Sequence, residues 1–439
     1  MKRTAYFLAG VFLVTRLSSS PAADKTWTGP ASGEWFEPSN WSPPGVPEAD
    51  NRVFVTGGPV IIRSNIAVSF LLLTGASLQS VERTNTFTFT NFIWAGGTIG
   101  GAGTTFIPPD GSLVITGLNQ VNLNNHTLLN AGSALWASQA GIFLNTNAVV
   151  RNDGTFYAQA IGYMFGSGSS SAFINAGTLL VTNPNVFTTF YAPVTNRGTM
   201  LLKGASLRGL YGFTQTGGRI SMENGRLDAD GGVRVFGGTL SGDGMINGPY
   251  FLNRGDLLPG RPLGTLHIAG NFTNTGNLYV DSQSAPGPAM NDLLQVSGHA
   301  RLGGSLHICY SGFLPPVPGL SFTILSASSK SGSFARIDGL DLGGGSVLIR
   351  AEGPGSFTLL TDNGGPRREG WMTIVDCGEG RYQVRFTGDP STSYLIQGAT
   401  ELGDWTTLLS TNSTSGVNYF LDTNAPSFPR RFYRVKKAP

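Results

Sequence analysis

Short apolar runs recur along the chain, and one kind of polar turn leads into many of them. TLLVT at 178–182 and TMLLK at 199–203 are two such runs. The phrase before them reads NDGTF at 152–156, NAGTL at 175–179, NRGTM at 196–200, NRGDL at 253–257 and NTGNL at 274–278. Looser versions are GGTI at 96–99, GGRI at 217–220, GGTL at 237–240 and GGSL at 303–306. The glycine series Gly132, Gly154, Gly177, Gly198, Gly218, Gly238, Gly255, Gly276, Gly304 advances mostly by about 20 residues per step. A repeat of that length is one turn of a solenoid, which buries its apolar face only against its neighbours.

The residue types choose among solenoids. A leucine-rich repeat needs a dense Leu skeleton, which is missing, and helical repeats need stretches free of Gly, Pro and Asn. A parallel β-helix needs short buried strands between turns, and the phrase supplies both. The fold class expected is all-β, a right-handed parallel β-helix of ten to twelve coils followed by a small β-sandwich. Asn and Gly are expected to take left-handed turn backbone. The repeat residues Asn152, Gly154, Asn175, Gly177, Asn196, Gly198, Asn253, Gly255, Asn274 and Gly276 then fall at one corner. Their asparagines either form an amide ladder along the rod or merely suit the turn. Leu179, Met200, Leu240, Leu257 and Leu278 are expected to stack in one core.

Composition narrows the class. Glycine numbers 62 of 439 residues and only 13% of residues are charged, which fits a Ser/Thr/Asn surface. Lys2 and Arg3, the apolar stretch 6–14 and the small residues 20–23 read as a secretory signal peptide over 1–23. Removing Lys2, Arg3 and Arg16 from the 29 basic residues leaves 26 against 26 acidic. A near-neutral chain gives no electrostatic case for nucleic acid or anionic membrane. No stretch after the leader reads as a transmembrane helix. Cys309 and Cys377 fall in what read as different domains and are expected unpaired, although an oxidising compartment permits a bridge.

The chain divides into a cap segment at 24–59, a β-helix with its C-terminal cap at 60–362, a linker at 363–370 and a β-sandwich at 371–439. Trp27, Trp35 and Trp41 in the cap segment read either as a plug over the open core or as a sugar-stacking platform. Residues 258–306 carry more specific features. Pro259, Gly260, 264–266, Gly270 and Asn271 fit PG-x-x-x-GTL-x-I-x-GN. Asp292, Leu294, Val296, Gly298, Ala300, 302–304 and Leu306 fit a D-x-L-x-V-x-G-x-A-x-LGG-x-L stretch. This resembles the passenger region of secreted bacterial autotransporters. The opening G-x-W…NW segment resembles autotransporter-associated β-strand repeat proteins, and 322–337 resembles the family's closing element. After the helix and its linker about 70 residues remain, too few for the family's membrane barrel. Instead, six short alternating runs between 371 and 435 suggest a sandwich, similar to an immunoglobulin- or fibronectin-III-like module or serving as a sorting tag. The linker composition predicts few crossing contacts and independent folding.

Chemistry is sparse in the sequence. Asp228 and Asp230, with Glu223 and Asp243 nearby, are the best carboxylate group and a weak metal candidate; turn aspartates are the plainer reading. His267, His307 and His299 would form a metal site only if their coils were neighbours. No nucleophile elbow, P-loop or dinucleotide fingerprint occurs. No catalytic residue and no cofactor are expected. The expected function is a secreted, non-catalytic surface or extracellular protein of adhesin type, its partner an extracellular glycan or cell-surface component. The alternative is a polysaccharide-binding or lyase-like β-helix with an aromatic-lined groove. Three or more acids beside an Arg on one face would favour the enzyme.

Overall fold

The computed structural model describes residues 23–439 apart from 168–169, 185–186, 261–262, 285–289, 313–315, 369 and 414–415. The signal peptide expected at 1–23 lies, but for Ala23, outside the described residues. Strand makes up 62% of the chain, and it winds into a parallel β-helix of about 11 turns. Each turn contributes a strand to each of three faces. Phe143 pairs with Phe165 on one face, Asn152 with Asn175 on the second and Thr155 with Thr178 on the third.

The apolar residue that follows the repeat turn always points inward. Phe156, Leu179, Met200, Ile220, Leu240, Leu257, Leu278 and Leu306 lie in register as one column, each at most 1% exposed. Alternation along each short strand produces this, since every second side chain enters the core. One phrase was misplaced by its spelling: GGTI at 96–99 lies on a different face, where Ile99 pairs with Leu123.

The turn chemistry differs from the expected one. None of Asn152, Asn175, Asn196, Asn253 or Asn274 has a positive φ, and neither do the five glycines of those phrases. The asparagines sit at inward strand positions at 0–1% exposure. Gly154, Gly177 and Gly198 serve close approach instead: a Cβ on each would strike the carbonyl oxygen of the equivalent glycine one turn earlier. Asn130, Asn152, Asn175 and Asn196 form the ladder, each Nδ2 donating to the next Oδ1 at 2.7–2.8 Å. Gln215 and Val235 occupy the next two rungs, and Asn253 to Asn274 resumes it at 2.7 Å.

Both rod ends are closed. At the start, Trp27, Trp35 and Trp41 pack edge to face, with centroids 5.1 and 4.8 Å apart. At the other end Ser356–Asp362 pairs antiparallel with both Ser321–Gly332 and Ser346–Glu352, ending the parallel stack. Antiparallel closure removes the free edge that a further turn would otherwise extend.

Two three-stranded antiparallel sheets follow as a small sandwich-like part. Met372–Asp376, Tyr382–Thr387 and Val417–Asp422 form one; Thr392–Ala399, Thr406–Ser413 and Phe432–Lys437 form the other. The contacts across the linker correct two expectations. Cys309 and Cys377 are joined in a disulfide rather than unpaired. Arg385, 1% exposed, donates to the carbonyls of Ile308, Gly339 and Asp341 at 3.0 Å each, and Gln383 donates to Tyr310 O at 2.7 Å. Arg381–Asp281 at 3.2 Å and Arg219–Glu379 at 3.1 Å extend the seam. Gly and Pro in the linker said nothing of this, because the seam is made by residues on either side of it.

A buried histidine that the sequence reading passed over supports the early coils. His126 is 2% exposed, its Nδ1–H donating to Gly101 O at 2.9 Å and its Nε2 accepting from Thr105 Oγ1 at 3.1 Å. Burial pushes its pKa from 6.5 down to about 4. The unfolded chain therefore takes up a proton between those values while the folded one does not. The contribution of His126 is complete above pH 6.5 and is lost as pH drops toward 4, by about 3 kcal/mol. Between pH 7.5 and 4.5 the difference in urea-unfolding free energy between wild type and His126→Gln should shrink by about that amount, the opposite contribution of Asp292 being common to both. An equal slope in the variant would assign the pH response elsewhere.

Candidate functional site

Aromatic side chains gather on the outer surface of one rod face. Ile142–Asn145, Tyr163–Ser167 and Phe187–Tyr191 are successive strands of that face, with Ile142, Met164 and Phe190 turned into the core. Alternation then sends Phe143, Tyr163, Phe165, Phe187 and Tyr191 outward. Phe143 meets Phe165 in register and Phe165 meets Tyr191, so the rings follow the rod axis at about one strand spacing, ~4.8 Å per turn. Ring centroids are 5.7 Å apart for Phe143–Phe165, 6.1 Å for Phe165–Tyr191, and 5.8 Å from Tyr163 to both Phe143 and Tyr191. Gly141 makes room for the cluster, since a Cβ there would press on the Tyr163 ring. Tyr163, Phe165 and Phe187 stay 38–41% exposed. Soluble surfaces rarely leave contiguous rings open without a partner.

Charge beside the stripe is balanced. Arg208 meets Asp230 at 2.7 Å and Arg226 meets Asp228 at 2.8 Å, and the Arg226 guanidinium lies 5.5 Å from the Phe187 centroid. Asp228 and Asp230, the sequence's metal candidates, thus border the stripe as ion-pair partners. Among the described residues, no three His, Cys, Asp or Glu side chains lie close enough to hold a metal ion.

The other candidates lie elsewhere. Trp27, Trp35 and Trp41 are 5%, 1% and 1% exposed, so their faces are spent on one another and on the core; as a sugar platform they are ruled out by burial. His267 stands between Met245 and Gln295, whereas His307 stands between Tyr279 and Asp338, so the topology does not bring them together. His307 stacks on Tyr279 at 4.6 Å, and burial lowers its pKa. His299 bonds Ser329 and Ser331 at 2.8 Å. Near the seam, burial and then the Asp281 carboxylate push Asp292 up to about 9. Asp292 receives the backbone N–H groups of Gly264 and Asp281, which is the work of a turn-fixing side chain.

The stripe was present in the sequence but not recognised. Phe143 and Phe165 are 22 residues apart, the repeat length, and each follows an inward apolar residue. An aromatic at the same outward phase in consecutive repeats is the signal. Comparison with protein-family models, curated proteins and solved structures found no match.

Proposed function

We propose that this chain is a secreted, non-catalytic β-helical protein of adhesin type that holds a neutral extracellular polysaccharide along the aromatic stripe. The observation that carries the reading is the row of outward rings Phe143, Phe165 and Tyr191, flanked by Tyr163 and Phe187, on one face of a rigid rod. Sugar rings present C–H faces that pack on aromatic faces, and the desolvated area favours association. Arg208–Asp230 and Arg226–Asp228 neutralise one another, which suits an uncharged ligand and leaves no spare carboxylate pair at that spot for hydrolysis. The leader at 1–23, the resemblance to autotransporter passengers and the disulfide fit delivery to an oxidising, extracellular compartment. The last part is read as an immunoglobulin- or fibronectin-III-like module.

Pull-down of the mature chain on insoluble neutral polysaccharides tests the reading. Phe165→Ala combined with Tyr191→Ala is expected to weaken binding at least about tenfold, two stacked rings contributing roughly 1 kcal/mol each. Its unfolding midpoint should change little, since both rings are outside the core. Equal retention of wild type and variant would sink the stripe as the site. Release of reducing ends from any of the polysaccharides would favour the degrading alternative.

A further inference from the structure

We infer that the C-terminal sheets bind an extended acidic peptide segment of a partner protein, which adds a strand to the free edge of Phe432–Lys437. The reason begins with a face that is only partly covered. Met372 lies opposite Phe386 and Ile374 opposite Val384, so all four side chains point to the same side of the first sheet. Phe386 and Val384 are 2% and 0% exposed, yet Met372 and Ile374 are 41% and 46% exposed. Met372–Asp376 is an edge strand of the first sheet and Phe432–Lys437 an edge strand of the second, so the two exposed side chains lie at the rim of the sandwich. A cavity of about 810 Å³ opens there, with Met372, Phe386, Tyr433 and Val435 in its walls.

The edge beside that cavity is open for pairing. Ala438 donates its N–H to Ser393 O, toward the neighbouring strand. By alternation Lys436 and Arg434 do the same, and the N–H groups of Tyr433, Val435 and Lys437 point away from it. A strand laid along this edge takes those donors and covers Met372 and Ile374 with its alternate side chains. A sugar chain covers apolar surface but has no matching row of amide groups.

Charge selects the strand's other residues. Arg367, Arg368, Arg434 and Lys437 all line the cavity, and among the described residues Asp389 is the one carboxylate that lines it. Lys437 already engages Asp389 at 2.6 Å. Arg434 stacks over Trp405 at 4.3 Å and donates to Gln397 Oε1 at 2.9 Å, on the opposite face from Tyr433 and Val435, so the cations left for a ligand are those of the preceding linker. Arg367 and Arg368 are exposed, with no ion-pair partner among the described residues. Guanidinium forks of this kind donate paired hydrogen bonds to carboxylates.

Fluorescence anisotropy with a labelled short peptide of alternating glutamate and valine, titrated with the mature chain, tests this. Binding is expected, weakening as salt rises, and a lysine–valine peptide of the same length should not bind. Val435→Pro removes a free donor without touching the existing ladder and is expected to weaken binding about tenfold or more. Arg367→Glu with Arg368→Glu changes only exposed side chains and should do the same, which keeps the test decisive if the proline variant unfolds. Absence of binding, equal binding of both peptides, or unchanged affinity in the double glutamate variant would overturn the inference. So would displacement of the peptide by oligouronate at equal strength in wild type and Val435→Pro, which would assign the cleft to an anionic glycan. Phe165→Ala/Tyr191→Ala leaves this cleft intact, so loss of polysaccharide binding and loss of peptide binding are read separately.

Discussion

Replacing Cys309 and Cys377 together by serine is expected to lower the unfolding free energy by about 4 kcal/mol, and Arg385→Ala by about 3–5 kcal/mol. The bridge spans 68 residues, and closing a loop of that length removes that much chain entropy from the unfolded state. Arg385 acts by a different route. Burial pushes its guanidinium down to about 10, against the attraction of the Asp341 carboxylate, so it remains charged at neutral pH. Three carbonyls of the rod end and Gln383 Oε1 hold that charge. Alanine leaves those buried acceptors without their donor and a cavity at the seam. Calorimetry of the mature chain should show one transition for wild type, and after reduction an earlier melting of residues 371–439. If Arg385→Ala unfolds within about 1 kcal/mol of wild type, the seam is a loose contact and the two parts are independent modules as the linker composition suggests.

The rod was legible because its rule is local. A strand every ~20 residues, entered through Asn-x-Gly-Thr, fixes which side chains enter the core, and Leu179 through Leu278 follow it. The six strands after the linker were legible for the same reason, by alternation and turn residues. The asparagines misled on one point: their type suggests a left-handed turn, while register over the neighbouring coil places them inside. That depends on the next repeat, not on the residue itself. The seam was illegible because Cys309 and Cys377, or Arg385 and Ile308, are brought together only by how the module sits on the last coils. The stripe lay between these cases. Its rings are at repeat spacing, but Phe143 and Phe165 look like core residues until the phase of each strand is known. Trp27, Trp35 and Trp41 drew attention by composition, and composition does not tell a plug from a platform.

Asn175→Asp is expected to cost at least about 4 kcal/mol at pH 7, although it changes no volume. Asn175 Oδ1 accepts from Asn152 Nδ2 at 2.8 Å, which an aspartate still does. Its Nδ2, however, faces three oxygens: Asn196 Oδ1 at 2.7 Å, Thr199 O at 2.9 Å and Gly177 O at 3.3 Å. An aspartate oxygen there meets three acceptors with no donor and, when ionised, places a bare charge at a 0%-exposed position. The group will bind a proton instead, so its folded pKa rises above the unfolded value of about 3.9. The sign follows: the deficit relative to wild type is smallest below about pH 4 and grows as pH rises. Asn253 gives the complementary case. Its Oδ1 has no hydrogen-bond partner, because Val235 rather than an amide fills the rung before it. Val235→Asn supplies the missing donor and should cost far less than a polar residue buried in a core ordinarily does, about 1 kcal/mol or below. Urea titrations of both variants across pH 4–8 decide the matter. A pH-independent Asn175→Asp deficit, or a Val235→Asn loss as large as that of Asn175→Asp, would mean that the stacked amides contribute packing alone and that the ladder's hydrogen bonds do not hold the coils in register.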